Sequence, residues 1–561
     1  MKKKWEFYSK NEEAVKSIQE QFGIGRLLAT IIVNKGLKTK EEIDVFLNPT
    51  RRDFHDPYLM PDMEIAVNRI IKAIDNHEKV IIYGDYDVDG ITSITVLKKF
   101  LGDRGLDVDS YIPNRLDEGY GLNKAAIDKI VANKYQLMIT VDCGISGLDE
   151  IDYANSLGLE TIVTDHHEPA ETLPNAVAVV DAKRKDNKYP FNQLAGVGVV
   201  FKLIQAISQV YKLEEKEYLK YLDIVCVGTI SDIVPLVDEN RVITKLGLKL
   251  VEVTKNVGLK ALLTAIGYKK IDSSVISFGV APRINACGRM GHEQDALQLF
   301  MTDNIVEAND ISKKLNEYNK ERQEIERRIF GEVVAKIEAG EKDKPCIVLA
   351  EKNWHHGVIG IVSSKVTEMY YKPSILICLE DGEGKGSGRS ISGFDLHEAL
   401  SNCNEHIDRF GGHSMAIGIS VSERNYNEFK KDFEKYAENS NVKDLIPIIR
   451  VDEEVNSKDV NVDVVNELNM LEPFGEANKM PIFMYKGLKI NSIRALSEGK
   501  HLKLTLKDES LLIDAIGFNM GNLVNEYLIG DKVDVLGNFE INSFNGRESV
   551  QINLKDIRKS Y

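Results

Sequence analysis

Cysteine is scarce in this sequence, and its few positions form neither a metal-binding nor a disulfide pattern. Only six of the 561 residues are cysteine, and no two of them are spaced as Cys-x-x-Cys. This argues against a zinc ribbon and against a disulfide framework, and it predicts reduced, mostly buried thiols. The six are Cys143, Cys226, Cys287, Cys346, Cys378 and Cys403.

Long apolar runs are missing as well. No stretch is long and apolar enough to cross a bilayer. The basic start of the chain, residues 1–5, leads into polar sequence rather than into the apolar segment of a secretion signal. These absences predict a cytoplasmic protein that does not contact a membrane.

An excess of positive charge is also lacking. The formal net charge of −15 argues against nucleic-acid binding over the whole surface, although a local basic channel stays compatible with it. Hydrophobic residues make up 43% of the chain and charged residues 28%, which is ordinary for a globular protein. The length of 561 residues predicts roughly three or four domains.

Against this background one acidic loop stands out. Three carboxylates, those of Asp85, Asp87 and Asp89, follow a buried strand predicted at residues 79–83 and precede a helix predicted to start near Ile91. Ligands of open α/β sheets bind at the carboxyl ends of the strands. Crowded carboxylates repel one another unless a cation compensates them, so the loop indicates a metal site. The alternative is a solvated turn, because Asp and Gly favour turns.

The same pattern recurs along the chain. Strands that alternate with helical intervals predict βαβ units and a parallel sheet, so the residues after each strand should meet at one edge. The predicted strands and the residues after them are 137–141 with Asp142, 161–164 with Asp165, His166 and His167, and 176–180 with Asp181.

A further carboxylate follows an almost wholly apolar segment, residues 221–231. Asp232 therefore emerges from buried structure, where an unpaired carboxylate is costly and a cation would remove the cost. The alternative is a carboxylate that accepts backbone N–H groups at the start of a helix.

The rest of the chain predicts three further parts. Residues 311–337 carry apolar side chains at helical spacing and predict a connecting helix, and residues 346–350 and 374–378 begin a smaller α/β region. The last ~110 residues contain short alternating strands, such as 501–507, and a turn signal at residues 544–547, which together predict a small β-barrel such as an OB-fold. The expected domains are a helical lead-in (1–50), a catalytic domain (51–305), a connecting helix (306–341), a second α/β domain (342–445) and a barrel (446–561).

The donor atoms collected on these loops are carboxylate oxygens and imidazole nitrogens, without thiolates. Such a set suits Mn²⁺ or Mg²⁺ better than structural zinc. It exceeds what one ion needs, and two ions about 3.5–4 Å apart that share a carboxylate can support the hydrolysis of a phosphoester. The candidates are Asp85, Asp87, Asp89, Asp142, Asp165, His166, His167 and Asp232.

At this point the motifs resemble a known family. Residues 85–90, 141–144, 165–167 and 231–232 are similar to four motifs of the DHH phosphoesterase superfamily, and Gly411-Gly412-His413-Ser414 is similar to the signature of its DHHA1 domain. Residues 112–115, 118–121, 281–286 and 354–360, together with the barrel, narrow the resemblance to the RecJ family of single-stranded-DNA exonucleases. The implied fold is a parallel-sheet DHH domain joined by a long helix to a smaller α/β DHHA1 domain, followed by an OB-like barrel.

The resemblance implies metal ligands position by position. It implies two divalent ions, Mn²⁺ or Mg²⁺, with Asp142 as their bridge and His167 in contact with the scissile phosphate. Asp165 is expected to orient its neighbours. The ligands implied are Asp85 at the opening of the first motif, and Asp87, Asp89, Asp142, His166 and Asp232.

The resemblance also implies substrate contacts. Arg115, Ser387, Gly388 and Arg389 match a pocket for the terminal 5′-phosphate, and glycines there would let backbone N–H groups approach an anion. Without the resemblance, residues 381–386 favour a flexible hairpin tip. His413 would then be interpreted equally well as a turn residue between glycines or as a residue that supports substrate binding. Further expected contacts with DNA are Arg283, Asn285, Arg289 and His413.

The function implied is that of a 5′→3′ exonuclease that releases 5′ mononucleotides from single-stranded DNA by a two-metal mechanism, in recombination and repair. The expected partners are single-stranded DNA, a single-strand-binding protein and a RecQ-type helicase, and the expected state is a monomer. Two alternatives are a phosphodiesterase that acts on short oligonucleotides or cyclic dinucleotides, and a non-catalytic replication scaffold. The intact acidic and histidine positions argue against the scaffold.

Overall fold

A computed structural model describes residues 3–115, 118–268, 270–509, 511–544 and 546–560. The fold is α/β and divides into two compact units. The smaller unit comprises Met1–Asp53, Pro235–Val242 and Ile448–Tyr561, and the larger unit comprises Phe54–Val234 and Ile243–Pro447. None of the described helices has the length and apolar character that a membrane crossing requires. All six cysteines are buried and unpaired, as predicted.

The strands of the described residues are numbered along the chain. They are β1 (Lys4–Phe7), β2 (Val80–Gly84), β3 (Val108–Tyr111), β4 (Leu137–Val141), β5 (Glu160–Thr164), β6 (Ala178–Val180), β7 (Ile347–Glu351), β8 (Ser374–Glu380), β9 (Glu383–Arg389), β10 (Arg409–Gly412), β11 (Ala416–Ser422), β12 (Ile448–Val451), β13 (Glu453–Val455), β14 (Phe483–Leu496), β15 (His501–Lys507), β16 (Leu512–Gly517), β17 (Lys532–Phe544) and β18 (Arg547–Lys559).

The α-helices are numbered in the same way. They are α1 (Glu12–Phe22), α2 (Arg26–Asn34), α3 (Lys40–Leu47), α4 (Met63–Asp75), α5 (Val88–Gly102), α6 (Lys124–Ala132), α7 (Leu148–Ser156), α8 (Gly196–Val210), α9 (Lys216–Leu219), α10 (Leu222–Ser231), α11 (Asp238–Val251), α12 (Val257–Ile266), α13 (Ala281–Arg289), α14 (Glu293–Met301), α15 (Ile305–Lys336), α16 (His356–Tyr370), α17 (Leu396–Ser401), α18 (Tyr426–Asn439) and α19 (Val462–Leu468).

The first sheet of the larger unit is parallel throughout, as the alternating pattern predicts. Its strand order is β3-β2-β4-β5-β6. Gly84 pairs with Val141, Val141 with Thr164, and Thr164 with Val180, so four strands end at the same level. The acidic and histidine residues that follow these strands therefore start from one edge of the sheet. Edge strand β3 was not predicted, because its sequence Val-Asp-Ser-Tyr carries only a weak apolar signal.

The connecting helix α15 has 32 residues and leads into the second sheet of the larger unit. Ile329 and Val333 near its end pack with Trp354 and Val358 in one apolar cluster. The helix begins at Ile305, six residues before the first residue of the apolar pattern, Ile311, and one residue before the expected domain boundary at 306, since Asn304 caps it by accepting a hydrogen bond from Val306 N.

The second sheet has the order β10-β11-β9-β8-β7, and it corrects the hairpin-tip interpretation of residues 381–386. Strand β9 lies between β8 and β11, and only Asp381 and Gly382, with φ of 50° and 84°, form the turn. A Cβ at Gly386 would lie 2.6 Å from Ile419 Cγ2 and 2.8 Å from Ile377 Cγ1. The glycines of this stretch therefore allow close packing inside a sheet.

In the smaller unit, β14, β15, β16, β18 and β17 form a closed barrel, in which β17 also pairs with β14. Its interior includes Leu502, Leu504 and Leu506, the inward positions of the alternating strand β15. Helices α1–α3 contribute to the same core. The predicted helical lead-in is incomplete, because β1 precedes these helices and pairs with β12. Strands β17 and β18 flank the predicted turn, but Asn545 within it lies outside the described residues.

Candidate metal centre and adjoining anion cleft

The acidic loop, residues 85–89, is built by a helix cap and a glycine. Asp87 caps α5, since its Oδ1 accepts hydrogen bonds from Asp89 N at 2.9 Å and from Gly90 N at 3.1 Å. A Cβ at Gly90 would lie 2.3 Å from the carbonyl oxygen of Asp85, so only glycine fits there. The tight turn buries the side chains of Asp85 and Asp89 and leaves Asp87 half-buried.

Asp89 is held by the N-terminus of α8. Its Oδ2 accepts a hydrogen bond from Gly196 N at 2.6 Å and its Oδ1 accepts one from Val197 N at 2.8 Å. The helix start can lie this close because residue 196 is glycine: a Cβ there would be 2.8 Å from Asp142 Oδ1. The role of Gly196 was not predicted from the sequence, in which the only signal was a glycine at the start of an apolar helical run.

Asp142 follows β4 in a left-handed backbone conformation, with φ of 58°. Such a conformation is uncommon for residues other than glycine, although Asp adopts it more readily than most. The backbone N–H of Asp142 donates to Thr164 O at 3.1 Å, which holds the residue against the neighbouring strand. The side chain is buried next to His166, whose Nε2 lies 3.1 Å from Asp142 Oδ1.

His166 lies at the centre of the carboxylates. Besides Asp142, its Nε2 faces Asp232 Oδ2 at 3.7 Å and Asp89 Oδ2 at 3.8 Å. The nitrogen makes no hydrogen bond with the described residues. Burial first, and then the charge of His167, lower the pKa of His166 to about 3. At neutral pH the ring is therefore uncharged, which is the form that ligates metals.

Asp232 corrects the capping alternative. It follows the last residue of α10, at the carboxyl end of the helix, so no free N–H groups of that helix are available to it. Its Oδ2 is buried and has no hydrogen-bond partner among the described residues. A carboxylate at a helix C-terminus is also disfavoured by the helix dipole, so a nearby cation would stabilise it.

The structure brings all six predicted metal residues together. Three sets of ligand atoms, each within 4.8 Å of one another, are Asp85 with Asp87 and Asp142, Asp89 with His166 and Asp232, and Asp142 with His166 and His167. Asp142 and His166 each belong to two sets. The buried atoms without partners include Asp85 Oδ1, His166 Nε2 and Asp232 Oδ2. These unpartnered oxygens and nitrogens fit hard divalent cations.

The electrostatics of the cluster lead to the same conclusion. Burial first, and then repulsion from neighbouring carboxylates, raise the pKa of Asp85, Asp142 and Asp232 well above the usual range. The same causes raise the pKa of Asp89 to about 7. Cys143 takes no part, since its Sγ lies against the carbonyl oxygen of Tyr83 at 3.8 Å. A bound cation would restore the ionised form of these carboxyls.

Asp165 orients the second histidine. Its Oδ1 accepts the hydrogen bond of His167 Nδ1 at 2.7 Å, and its Oδ2 accepts one from Ile145 N at 2.9 Å. Burial alone would lower the pKa of His167, but the bond to Asp165 raises it. Among the described residues, the side-chain hydrogen bonds of His167 all involve Nδ1 and none involves Nε2. Tyr120, to which sequence analysis assigned no role, places its hydroxyl 3.3 Å from His167 Nδ1.

A basic cleft of about 570 Å³ adjoins the acidic loop. Tyr86 of that loop lines it, together with the first turns of α16, strand β9 and the start of β11. Four cationic side chains and one acidic side chain face it. The lining residues are Tyr86, Arg115, Glu118, Gly119, Arg289, His356, Gly357, Gly360, Lys385, Gly386, Ser387, Arg389, Ala416, Ile417 and Gly418.

Several contacts fix the cations of this cleft. Arg389 donates to Ser387 Oγ at 3.0 Å, and Arg289 donates to the carbonyl oxygen of Gly357 at 2.7 Å. Burial first, and then neighbouring cations that include Arg115, lower the pKa of Arg289 to about 9. Clustered guanidinium groups beside a helix N-terminus are suited to bind an anion such as phosphate.

Besides His167, four predicted substrate residues are not among those that line the cleft. Arg283 donates to Asn316 Oδ1 at 2.6 Å and so ties α13 to α15, while Asn285 accepts a hydrogen bond from Val88 N at 3.3 Å. A Cβ at Gly388 would lie 2.7 Å from Ile417, so this glycine serves packing. His413 is exposed in the turn between β10 and β11, which is where the turn interpretation puts it.

Three families match successive parts of the chain. Residues 79–229 match the DHH family, N-terminal domain, and residues 343–439 match the DHHA1 domain. Residues 451–556 match the RecJ OB domain. The first match contains His167 and every predicted metal residue except Asp232, and the second contains the β9 side of the cleft.

Two relatives that match nearly the whole chain carry the same description. The single-stranded-DNA-specific exonuclease RecJ of Bacillus subtilis (strain 168) is 38% identical, over 100% of this chain and 71% of the relative. That of Haemophilus influenzae is 32% identical, over 90% of this chain and 92% of the relative.

Solved structures agree with this. Crystal structures of RecJ from Thermus thermophilus with Mn²⁺ and with Mg²⁺ match with TM-scores of 0.87 and 0.81, at 29% and 28% identity. They cover 100% of this chain and 80% and 79% of theirs. A RecJ bound to manganese is 33% identical, with a TM-score of 0.61 over 69% of this chain and 97% of its own.

Proposed function

Because the chain belongs to the RecJ family of single-stranded-DNA-specific exonucleases, we propose that it hydrolyses single-stranded DNA from the 5′ end and releases 5′ mononucleotides. The observation that supports this proposal is that one loop contributes to both the candidate metal centre and the basic cleft. Asp85, Asp87 and Asp89 belong to the cluster of candidate metal ligands, while Tyr86, in the same loop, lines the basic cleft. A terminal phosphate in the cleft would therefore place the next phosphodiester beside the cluster.

We propose two divalent ions, Mn²⁺ or Mg²⁺, as cofactors. The neighbouring ligand sets support two positions, and Asp142, which belongs to two sets, is proposed as the bridge. When bound, such ions supply a nucleophilic hydroxide and neutralise charge on the phosphoryl oxygens. The proposed ligands are Asp85, Asp87, Asp89, Asp142, His166 and Asp232.

The remaining chemistry falls to the chain itself. His167, held by Asp165 and with its pKa raised, is proposed to donate a hydrogen bond to the scissile phosphate. Arg115, Arg289 and Arg389 neutralise the terminal phosphate, with Ser387 as a further donor. Arg283, Asn285, Gly388 and His413 are proposed to support DNA binding, the first three by fixing the elements that carry the direct contacts.

The cellular setting is also a proposal. We propose a cytoplasmic monomer that acts in recombination and repair, with a single-strand-binding protein and a RecQ-type helicase as partners. The match of residues 451–556 to the RecJ OB domain supports a role of the barrel in contacting single strands. The division at residues 50, 305, 341 and 445 is proposed as well, and it is supported by the start of α15 at Ile305.

The test is a degradation time course with Mn²⁺ or Mg²⁺. The substrates are single-stranded DNA labelled at the 5′ or the 3′ end, a blunt duplex and a cyclic dinucleotide, and the control is Asp142→Ala. We expect immediate release of the 5′ label as mononucleotide from single strands only, and its loss in the variant. Activity confined to the cyclic dinucleotide, or early release of the 3′ label, would refute the proposal. Absence of metal-dependent activity would favour a scaffold.

A further inference from the structure

Tyr86 occupies an unusual position. It lies between two proposed metal ligands in the sequence, yet its side chain faces the basic cleft. Its side chain is 8% exposed and lines the basic cleft. It packs against α13 where that helix has a glycine: a Cβ at Gly288 would lie 2.8 Å from the carbonyl oxygen of Tyr86 and 3.3 Å from its Cβ. The tyrosine is thus clamped between the acidic loop and α13.

Arg115 lies over this ring. Its guanidinium carbon is 4.9 Å from the centre of the Tyr86 ring, a distance typical of a cation–π contact. Arg289 and Arg389 are held by hydrogen bonds to Gly357 O and Ser387 Oγ. In the described part of the chain, Arg115 has no such hydrogen bond and no ion pair, so the ring is its evident support.

This mode of support matters for anion binding. A ring contacts the flat face of a guanidinium and uses none of its N–H donors, which point outward in the plane of the group. A hydrogen-bonded or salt-bridged arginine has already used some of these donors. Arg115 on Tyr86 therefore keeps its donors for a phosphate in the cleft while its position is restrained.

We propose that Tyr86 is the positioning residue that holds Arg115 for the 5′-terminal phosphate and makes the enzyme prefer 5′-phosphorylated over 5′-hydroxyl ends. This inference rests on the proposed function. Since Asp85 and Asp87 flank Tyr86, the same short loop sets the spacing between the terminal phosphate and the metal cluster.

The test compares Tyr86→Phe, which keeps the ring, with Tyr86→Leu, which removes it. Tyr211→Leu, at the exposed end of α8, is the matched control. Binding of one fluorescent oligonucleotide with a 5′-phosphate or a 5′-hydroxyl is measured in EDTA, and kcat and KM are then measured with Mn²⁺. We expect Tyr86→Leu to lower the phosphate/hydroxyl affinity ratio by roughly 2- to 30-fold, through KM rather than kcat. Tyr86→Phe and the control should keep the ratio.

A double-mutant cycle makes the inference sharper. Tyr86→Leu combined with Arg115→Ala should lower the ratio no further than Arg115→Ala alone, since the ring acts through the arginine. An unchanged ratio in Tyr86→Leu, an additive double variant, or a Tyr86→Phe variant as weak as Tyr86→Leu would each overturn the proposal. A Mn²⁺-induced rise in Tm that is lost in Tyr86→Leu would mean that the metal loop collapsed, and would also overturn it.

The two proposals fail in different ways. A wild-type protein that binds 5′-phosphorylated ends preferentially in EDTA, but degrades no DNA with Mn²⁺, would refute the proposed function and leave the role of Tyr86 standing. A wild-type protein that degrades single strands but binds both ends equally would refute the role of Tyr86 alone.

Discussion

Gly90 offers the sharpest test of how the acidic loop is built. In Gly90→Ala the new Cβ would start 2.3 Å from the carbonyl oxygen of Asp85, whereas real Cβ contacts essentially never fall below 3.0 Å. The obstructing atom belongs to the backbone and cannot rotate away. Asp85 and the N-terminus of α5, which carries Asp89, must therefore move apart by at least about 0.7 Å, and overpacking of this kind costs roughly 1–3 kcal/mol.

The effect on activity should exceed the effect on stability. Displacements near 1 Å in a catalytic arrangement cost on the order of 100-fold in rate, so we expect Gly90→Ala to remain folded but to lose about two orders of magnitude in kcat. The Mn²⁺-induced rise in Tm should shrink with it, because ligand atoms from both sides of the loop separate.

Gly102, in the last turn of the same helix, is the matched control. A Cβ there meets nothing within 4 Å. Gly102→Ala should keep full activity and gain up to about 1 kcal/mol in the free energy of unfolding. The assays are the release of 5′-labelled nucleotide and the Tm in EDTA and in Mn²⁺. A Gly90→Ala variant with wild-type kcat and a wild-type Mn²⁺ response would refute the reasoning, as would a Gly102→Ala variant that is equally inactive.

Two further predictions concern pH. Asp165→Asn removes the charge that raises the pKa of His167, so the alkaline limb of the pH–kcat profile should move to lower pH; an unmoved limb would contradict the role given to this histidine. Burial first, and then nearby cations, lower the pKa of His356 in the cleft to about 4, and a bound phosphate would raise it. Binding then takes up a proton, so affinity for 5′-phosphorylated DNA measured in EDTA should rise as the pH is lowered toward about 4, and this dependence should weaken in His356→Gln. Equal slopes for the two proteins would exclude that linkage.

The strands and acidic loops of the first sheet were predictable because their signals are local. Strand β4 was placed at its observed bounds, and β2, β5 and β6 within one or two residues, since each is a short apolar run that ends in Asp. Parallel strands that end at one level then bring Asp85, Asp142 and Asp165 to the same edge. No long-range information was needed for that step.

Other features depend on elements distant in the chain, and the sequence left them open or missed them. For Asp232 the metal prediction and its capping alternative both stayed open, because an apolar run does not reveal whether the carboxylate follows a helix or starts one; in the structure Asp232 follows α10. The glycines of β9 suggested a flexible hairpin tip, because the sequence does not show that Ile377 and Ile419 of the neighbouring strands occupy the space beside them. Strand β1 was not predicted, because its partner β12 lies more than 400 residues away in the sequence.

The sequence by itself determined which chemistry is available: carboxylates and imidazoles after parallel strands, no thiolate among them, and a barrel of alternating strands. Tertiary structure decided how those groups are held and joined. The closeness of Gly196 to Asp142, the capping of α8 by Asp89, and the stacking of Arg115 on Tyr86 all depend on contacts between distant segments. Periodicity and spacing report which face a residue occupies, but distances of a few ångströms across a site are set only when the elements pack.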